Sequence, residues 1–251
     1  MDGLYGLETL EMNLCSLKDC SIGYFYGLKR LSLCIEGNIE GKELTKIIDR
    51  CPNLEELELH GSLSHFNLDK LVHLKKLCLF GRLNKDFNFN MLNNLCSQLQ
   101  LFWIECFDLN EEDTFKMFDG LDFPNLSKLE ISNIEINGLE KQFFDRFPKL
   151  ESFSLQGSLE IIEPDTFSNL KSLKELNLAS TDLEKLDRNM FVGLDNLEKL
   201  DLTDNPFTYF DLSILDYIPK IKSINLCVYS ISNKEEILNR FKGSDIKIIF
   251  K

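Results

Sequence analysis

Residues Leu197–Phe207, LEKLDLTDNPF, constrain what this chain can become more than any other stretch does. With Leu197 as column 1, apolar residues occupy columns 1, 4, 6 and 11, and Asn205 occupies column 9. Alternation over columns 4 to 7 is the period of a strand with one buried side. Leu200 and Leu202 then face a core, while the residues of columns 5 and 7 face solvent. The same pattern recurs with column 1 at Leu7, Leu28, Leu54, Leu74, Leu99, Leu126, Leu150, Leu173, Leu197 and Ile221. A chain that repeats one apolar-faced unit every 20 to 27 residues buries that face by stacking each unit on the next.

A second signal fixes the register independently. Three residues before column 1 stand Leu4, Phe25, Cys51, Leu71, Cys96, Phe123, Phe147, Leu170, Leu194 and Ile218, all apolar or cysteine. Six residues before column 1 the later copies carry Phe144, Phe167 and Phe191. These belong to the return segment that covers the back of each strand. Two return segments have helical spacing. Gly41–Arg50 places Leu44, Ile47 and Ile48 on one face, and Asn110–Asp119 does the same with Phe115 and Phe118. At the C-terminal end, Ser232 to Glu235 reads as a capping box opening a helix through Phe241. Gly243 stops that helix, and a strand-like IKIIF follows, so 232–251 is a closing helix–strand unit.

The repeats resemble the leucine-rich repeat family over essentially the whole length. The later half, from IEPDTF to DLTDNPF, is similar to repeats of Toll-like receptors and related secreted animal proteins. CPNLEEL is similar to repeats of intracellular proteins such as the F-box group. The resemblance implies an α/β leucine-rich repeat solenoid, a horseshoe with a concave parallel β-sheet and helices or irregular turns on its convex face. It implies a single domain over residues 1–251. One departure stands out. Column 9 reads Cys15, Glu36, Ser62, Arg82, Phe107, Ile134, Ser158, Thr181, Asn205 and Tyr229, so the family's asparagine ladder survives only at Asn205. Cys15, Ser62, Ser158 and Thr181 are weak substitutes.

Composition narrows the function. With 28 basic and 41 acidic residues the net charge is −13, which disfavours nucleic acid or an anionic membrane as partner and favours cationic ones. No apolar run approaches the ~20 residues of a membrane helix, and MDGLYGLETLEM lacks the features of a signal peptide. Leu4 and Leu7 already belong to a repeat, so upstream residues or a partner are expected to cover that end. The eight cysteines are scattered, several of them in repeat columns, among them Cys15, Cys51, Cys78, Cys96 and Cys227. That distribution points to reduced thiols and a cytoplasmic setting, with the extracellular alternative that the chain is a piece of a secreted protein. The sequon Asn125-Leu126-Ser127 occurs at the frequency of chance.

No metal, phosphate or nucleophile motif is present, and no cofactor is expected. DLTDN at Asp201 is explained by its repeat, and His65 and His73 fall in turns. Cys34 and His60 share column 7 on neighbouring strands with Glu58 beside them. An exposed pair without an oxyanion donor is a better reading than a nucleophile or a metal site.

Columns 5 and 7 hold Glu11, Glu58, Glu105, Glu130 and Asp201 against no lysine or arginine, while columns 2 and 3 mix both signs. Within this face Phe80 and Trp103 occupy solvent columns of consecutive strands. A one-residue slip in LQLFWIECF would instead turn Trp103 inward and Phe102 outward. The chain is expected to be a non-catalytic scaffold binding a basic protein or peptide through Glu58, His60, Phe80, Trp103, Glu105 and Glu130. A fragment of a receptor ectodomain and the recognition arm of a ubiquitin ligase are the alternatives.

Overall fold

In the computed structural model, residues 6–14, 23–37, 39–84, 87–107, 117–227 and 229–250 are described. The chain divides into two compact units, Met1–Leu126 and Ser127–Lys251. The first contains strands β1 (Thr9–Leu14), β2 (Arg30–Ile35), β3 (Glu56–Leu63), β4 (Lys76–Leu83) and β5 (Leu101–Cys106), each parallel to the next. The second contains β6 (Lys128–Leu139), β7 (Ser152–Ile162), β8 (Glu175–Asn177), β9 (Lys199–Asp201), β10 (Ser223–Leu226) and β11 (Lys247–Phe250), again all parallel. Each strand opens at the expected register. Column 4 pairs with column 4, as in Leu31↔Leu57, Leu57↔Leu77 and Leu77↔Phe102.

The alternation decides what is buried. Column 4 residues Leu57, Leu77, Phe102, Leu129, Phe153, Leu176 and Leu200 are closed to solvent, as are Leu59, Leu79, Ile104, Ile131, Leu155, Leu178 and Leu202 of column 6. Full burial of one such side chain contributes about 1.5–3 kcal/mol. The column-1 leucines from Leu28 to Leu197 are buried beneath them, and the return-segment residues Phe144, Phe147, Phe167 and Phe191 fill the layer behind. Phe144 meets Phe153 edge-on at 5.0 Å and Phe167 at 5.3 Å, tying strand to return segment.

After column 7 the chain must leave the strand, and it does so in two ways. In six repeats column 8 takes a positive φ: Gly61 (125°), Gly81 (125°), Asn133 (59°), Gly157 (134°), Ser180 (56°) and Asp204 (56°). Where column 8 is glycine the strand runs on, so β3, β4 and β7 extend past the kink. There the backbones approach closely. A Cβ on Gly61 would sit 2.3 Å from the Ile35 carbonyl oxygen, and one on Gly157 2.1 Å from that of Ile134. Only a residue without Cβ fits. The second solution is Asn205. Its carboxamide oxygen accepts from Thr181 N and Leu183 N, and its NH2 lies within hydrogen-bond reach of the carbonyls of Leu178, Leu202 and Thr203. Thr181 serves as the weak substitute, its hydroxyl donating to Leu178 O at 2.8 Å. Here β8 and β9 are three residues each.

A further ladder lies on the opposite strand edge, in the residue before column 1. Side-chain amides of Asn53, Gln98, Asn125 and Asn196 each donate to a main-chain carbonyl of the preceding repeat (Tyr26, Leu71, Ser97 and Lys171).

Helix α1 (Gly41–Ile48) buries Leu44, Ile47 and Ile48, as the spacing predicts. Most of Asn110–Asp119, the other expected helix, lies outside the described residues. Return segments elsewhere use short 3₁₀ turns, such as Lys141–Arg146 and Arg188–Phe191. Helix α2 (Lys234–Phe241) begins and ends close to expectation, with Gly243 at φ 81°. The expected capping box is a correction. Ser232 donates to Thr208 O instead, and Asn233 is the N-cap residue. Its side chain makes no cap bond and bridges back to both main-chain groups of Phe210. Holding the previous repeat outcompetes the local cap. Strand β11 then completes the closing unit on β10.

Replacing Gly61 or Gly157 by alanine combines a left-handed backbone with a main-chain collision. Each is expected to cost about 2–4 kcal/mol in denaturant unfolding, whereas Gly23→Ala, which meets nothing within 4 Å, changes little. Asn205→Ala strands buried donors and acceptors of two repeats and should cost roughly 3 kcal/mol or more by the same measurement.

Candidate functional site

The solvent face of the first unit is built by strand register alone. Column 5 runs Ser32↔Glu58↔Cys78↔Trp103 and column 7 runs Cys34↔His60↔Phe80↔Glu105 on β2 to β5. Phe102 and Ile104 are fully buried, so Trp103 between them points outward and the slipped register is ruled out. Trp103 is half-buried, and its Nε1 is closed to solvent with no hydrogen-bond partner. What the indole offers to the outside is therefore ring surface and not its N–H.

Three aromatic rings stand in contact across three strands. His60 stacks on Phe80 with centroids 4.5 Å apart and planes 18° apart. Phe80 meets Trp103 at 4.7 Å and 83°, ring edge against ring face. Such pairs add about 0.5–1.5 kcal/mol beyond area burial, so the row is held in place rather than free to swing. Cys78, in a solvent column between Glu58 and Trp103, is 0% exposed. Glu58 Oε1 lies 2.7 Å from His60 Nε2, and both side chains stay more than a third exposed. Glu105 is half-buried two residues beyond Trp103 on the same face.

The strand edges carry ladders of alternating charge. In column 2 Glu8, Lys29, Glu55 and Lys75 alternate across the first unit, and Glu151, Lys174, Glu198 and Lys222 across the second. Lys75–Glu55 closes at 2.7 Å, Lys174–Glu151 at 2.8 Å and Lys222–Glu198 at 2.6 Å. In column 3 Glu56 lies between Arg30 and Lys76, at 4.0 and 3.8 Å. Also in column 3, Lys199 bonds Glu175, and the hydrogen bonds across these pairs hold Lys174 and Lys199 above the usual lysine value and Glu55 and Glu198 below the usual carboxylate value. Exposed pairs contribute little stability singly, but they occupy the cations beside the face.

The sequence placed every residue of the proposed set in its column, but the structure does not treat the set alike. Glu58, His60, Phe80, Trp103 and Glu105 are brought together on the first unit. Glu130 belongs to the second unit, where Lys128, two residues earlier on the same face, holds its carboxylate at 2.6 Å. Asp201 is likewise engaged, accepting from Thr203 and from Asn225 Nδ2. In the second unit Glu130 is thus charge-paired and Asp201 hydrogen-bonded. The sequence holds the signal for Glu130, a lysine at i−2, but tallying columns separately hides it. Cys34 and His60 are cross-strand neighbours, with the His60 Nε2 taken by Glu58. Among the described residues no cluster of three or more histidine, cysteine or carboxylate side chains is arranged to hold a metal.

Known proteins share both the repeats and their fold. The leucine rich repeat family profile matches residues 124–183, 156–207 and 172–226. Over residues 124–226 the chain carries leucine-rich repeats. The matched repeats include those that Asn205 organises. CD180 antigen of Mus musculus is 28% identical over 250 residues, covering 92% of this chain and 36% of that protein. Toll-like receptor 3 of Homo sapiens is 29% identical over 209 residues, covering 80% of this chain and 21% of that protein. The chain therefore spans about a third or less of the length of these relatives. Among solved structures, the crystal structure of a TLR13–ssRNA13 complex superposes with a TM-score of 0.59 at 18% identity, covering 99% of this chain and 44% of that one. The likeness confirms the repeat solenoid fold. Among the described residues, no helix is long and apolar enough to cross a membrane.

The thiols differ in environment. Burial pushes Cys51 and Cys96 up to about 11 from an ordinary 9.0, while Cys227 is lowered, chiefly by hydrogen bonding from the Tyr229 main chain. Cys51 and Cys96 bind their protons more tightly folded than unfolded. Stability is therefore retained below pH 9 and lost as pH rises from 9 through about 11, as the unfolded thiols ionise. Urea midpoints taken across that window should fall, and Cys51→Ala/Cys96→Ala should flatten the fall.

Proposed function

We propose that this chain is a non-catalytic recognition module that binds a protein or peptide on the open sheet face of its first unit. Glu58, His60, Phe80, Trp103 and Glu105 form the contact, and Glu130, satisfied by Lys128, stands outside it. The observation that carries this reading is Trp103. A lone tryptophan is held half-exposed in a solvent column, packed against a second aromatic and ringed by polar groups. Anchors of that kind dominate interface energetics. Carboxylates on this face, with the neighbouring cations committed to edge pairs, favour a cationic partner. They disfavour a polyphosphate, even though the TLR13 structure of the same fold is a complex with single-stranded RNA.

Relatives named as receptors support the receptor-type or secreted alternative. They weigh against both the cytoplasmic setting drawn from the scattered cysteines and the ubiquitin-ligase arm. The physical reason is that small buried thiols serve as core residues: Cys51 and Cys96 each donate to a carbonyl one turn earlier and are buried. Their scatter reports on packing and carries little information about compartment.

A random-peptide display library panned on the protein tests the face. Recovered binders should lose about 10- to 30-fold in affinity on Trp103→Ala, equivalent to about 1.4–2 kcal/mol. They should be indifferent to Tyr229→Ala, which removes a 94% exposed aromatic from the second unit. With circular dichroism unchanged, binders that ignore Trp103→Ala would sink the proposed site.

A further inference from the structure

We infer that the group this face is shaped to take is an arginine side chain, its guanidinium lying against the exposed ring surface beside Phe80 and Trp103 between the carboxylates of Glu58 and Glu105. This rests on the recognition reading above and specifies its chemistry.

Four observations converge on a planar cation. First, the face offers π surface without a hydrogen-bonding edge. The Trp103 Nε1 is closed off, so nothing on the indole asks for an acceptor. Second, the Phe80 and Trp103 planes meet at 83°, which makes a re-entrant angle of two aromatic walls rather than a flat plate. A cation within about 6 Å of such rings is attracted by their quadrupoles, the indole most strongly. Third, negative charge flanks the angle on both sides. Glu105 follows Trp103 on the same face, roughly 7 Å along the strand, and Glu58 stands across Cys78 in column 5. Fourth, columns 5 and 7 of this unit carry no lysine or arginine of their own. Lys29, Arg30, Lys75 and Lys76 are turned to Glu8, Glu56 and Glu55 at the edge. These four cations are therefore committed beside the angle and not within it.

Arginine fits better than lysine for geometric reasons. A guanidinium is flat, stacks on an aromatic ring and still directs in-plane N–H groups to carboxylates at its rim. An ammonium is a compact, strongly hydrated point charge that gives up more water to reach the same place. The stacked His60 backs one face of Phe80, which holds that wall in place, and it orders the Glu58 carboxylate through their 2.7 Å contact.

Trp103 is the only tryptophan in the chain, so its fluorescence and its indole resonances report this site without labelling. The probes are the blocked tripeptides acetyl-Gly-Arg-Gly-amide, its lysine counterpart and its citrulline counterpart, which keeps the shape of arginine without the charge. Saturable change is expected with the arginine peptide at millimolar concentration, several-fold weaker binding with lysine and none with citrulline. Glu58→Gln and Glu105→Gln should each weaken the arginine peptide by about 3- to 10-fold. Raising salt from about 20 to about 500 mM should weaken it too. Lysine equal to arginine, or citrulline binding as well as arginine, would overturn the assignment. So would silence from all three probes. In each case display binders that still depend on Trp103 would leave the recognition reading standing. Binders indifferent to Trp103 would remove both.

Discussion

Contact between apolar side chains of the same column on successive parallel strands is the interaction on which both units depend. A side chain in column 4 or 6 meets its counterpart one strand away and the return-segment aromatics behind. Leu57, Leu77 and Phe102 in one unit, and Phe153, Leu176 and Leu200 in the other, are shut off from solvent in this way. A repeat of this size acquires a core only by sharing it, so each is stable only against its neighbours. Half-burial of Leu10 and Met12 in β1 and of Ile248 and Phe250 in β11 shows the same dependence where a strand has a neighbour on one side only.

The main chain must satisfy a second demand, which is to turn out of the sheet without leaving buried amides and carbonyls unpaired. Asn205 meets it with one carboxamide that bonds groups from two consecutive repeats. The repeats with Gly61, Gly81, Asn133 and Gly157 in column 8 bend at a left-handed residue and continue pairing, so the ladder itself satisfies the backbone there. The scarcity of asparagine in column 9 therefore coexists with extended pairing, interrupted by a one-residue shift between Ile131 and Ile134 where β6 meets β7. Glycine at Gly61, Gly81 and Gly157 takes over part of its role by permitting close approach of adjacent main chains.

These two demands fix which residues are left over for recognition. Once columns 4 and 6 are given to the core and columns 2 and 3 to alternating ion pairs, columns 5 and 7 remain open to variation. In the first unit they carry a histidine, a phenylalanine and a tryptophan on three strands in succession. Contacts at 4.5 and 4.7 Å show that the three rings support one another, which holds a half-exposed tryptophan in one orientation. Pre-ordered aromatic surface of this kind loses little conformational entropy on binding, which is what an interface anchor requires.

What the sequence determined by itself was everything governed by period. The ten column-1 positions, the inward set, the helix over Leu44 to Ile48 and the closing unit ending in β11 all follow from alternation and spacing, whereas the outward orientation of Trp103 was decided by the burial of Phe102 and Ile104 in the structure. Burial of an apolar side chain is decided by its place in the period, whatever its neighbours. What only the tertiary structure decided was everything that depends on which residues meet across strands. The Lys128–Glu130 pair, the stacking of His60 on Phe80, the concealment of Cys78 and of the Trp103 N–H, and the diversion of Asn233 to Phe210 are of this kind. Each outcome is a competition between partners some 20 residues apart in the chain or on one strand face. Such competition is settled by distance and geometry once the strands are in place, and no periodic pattern records it.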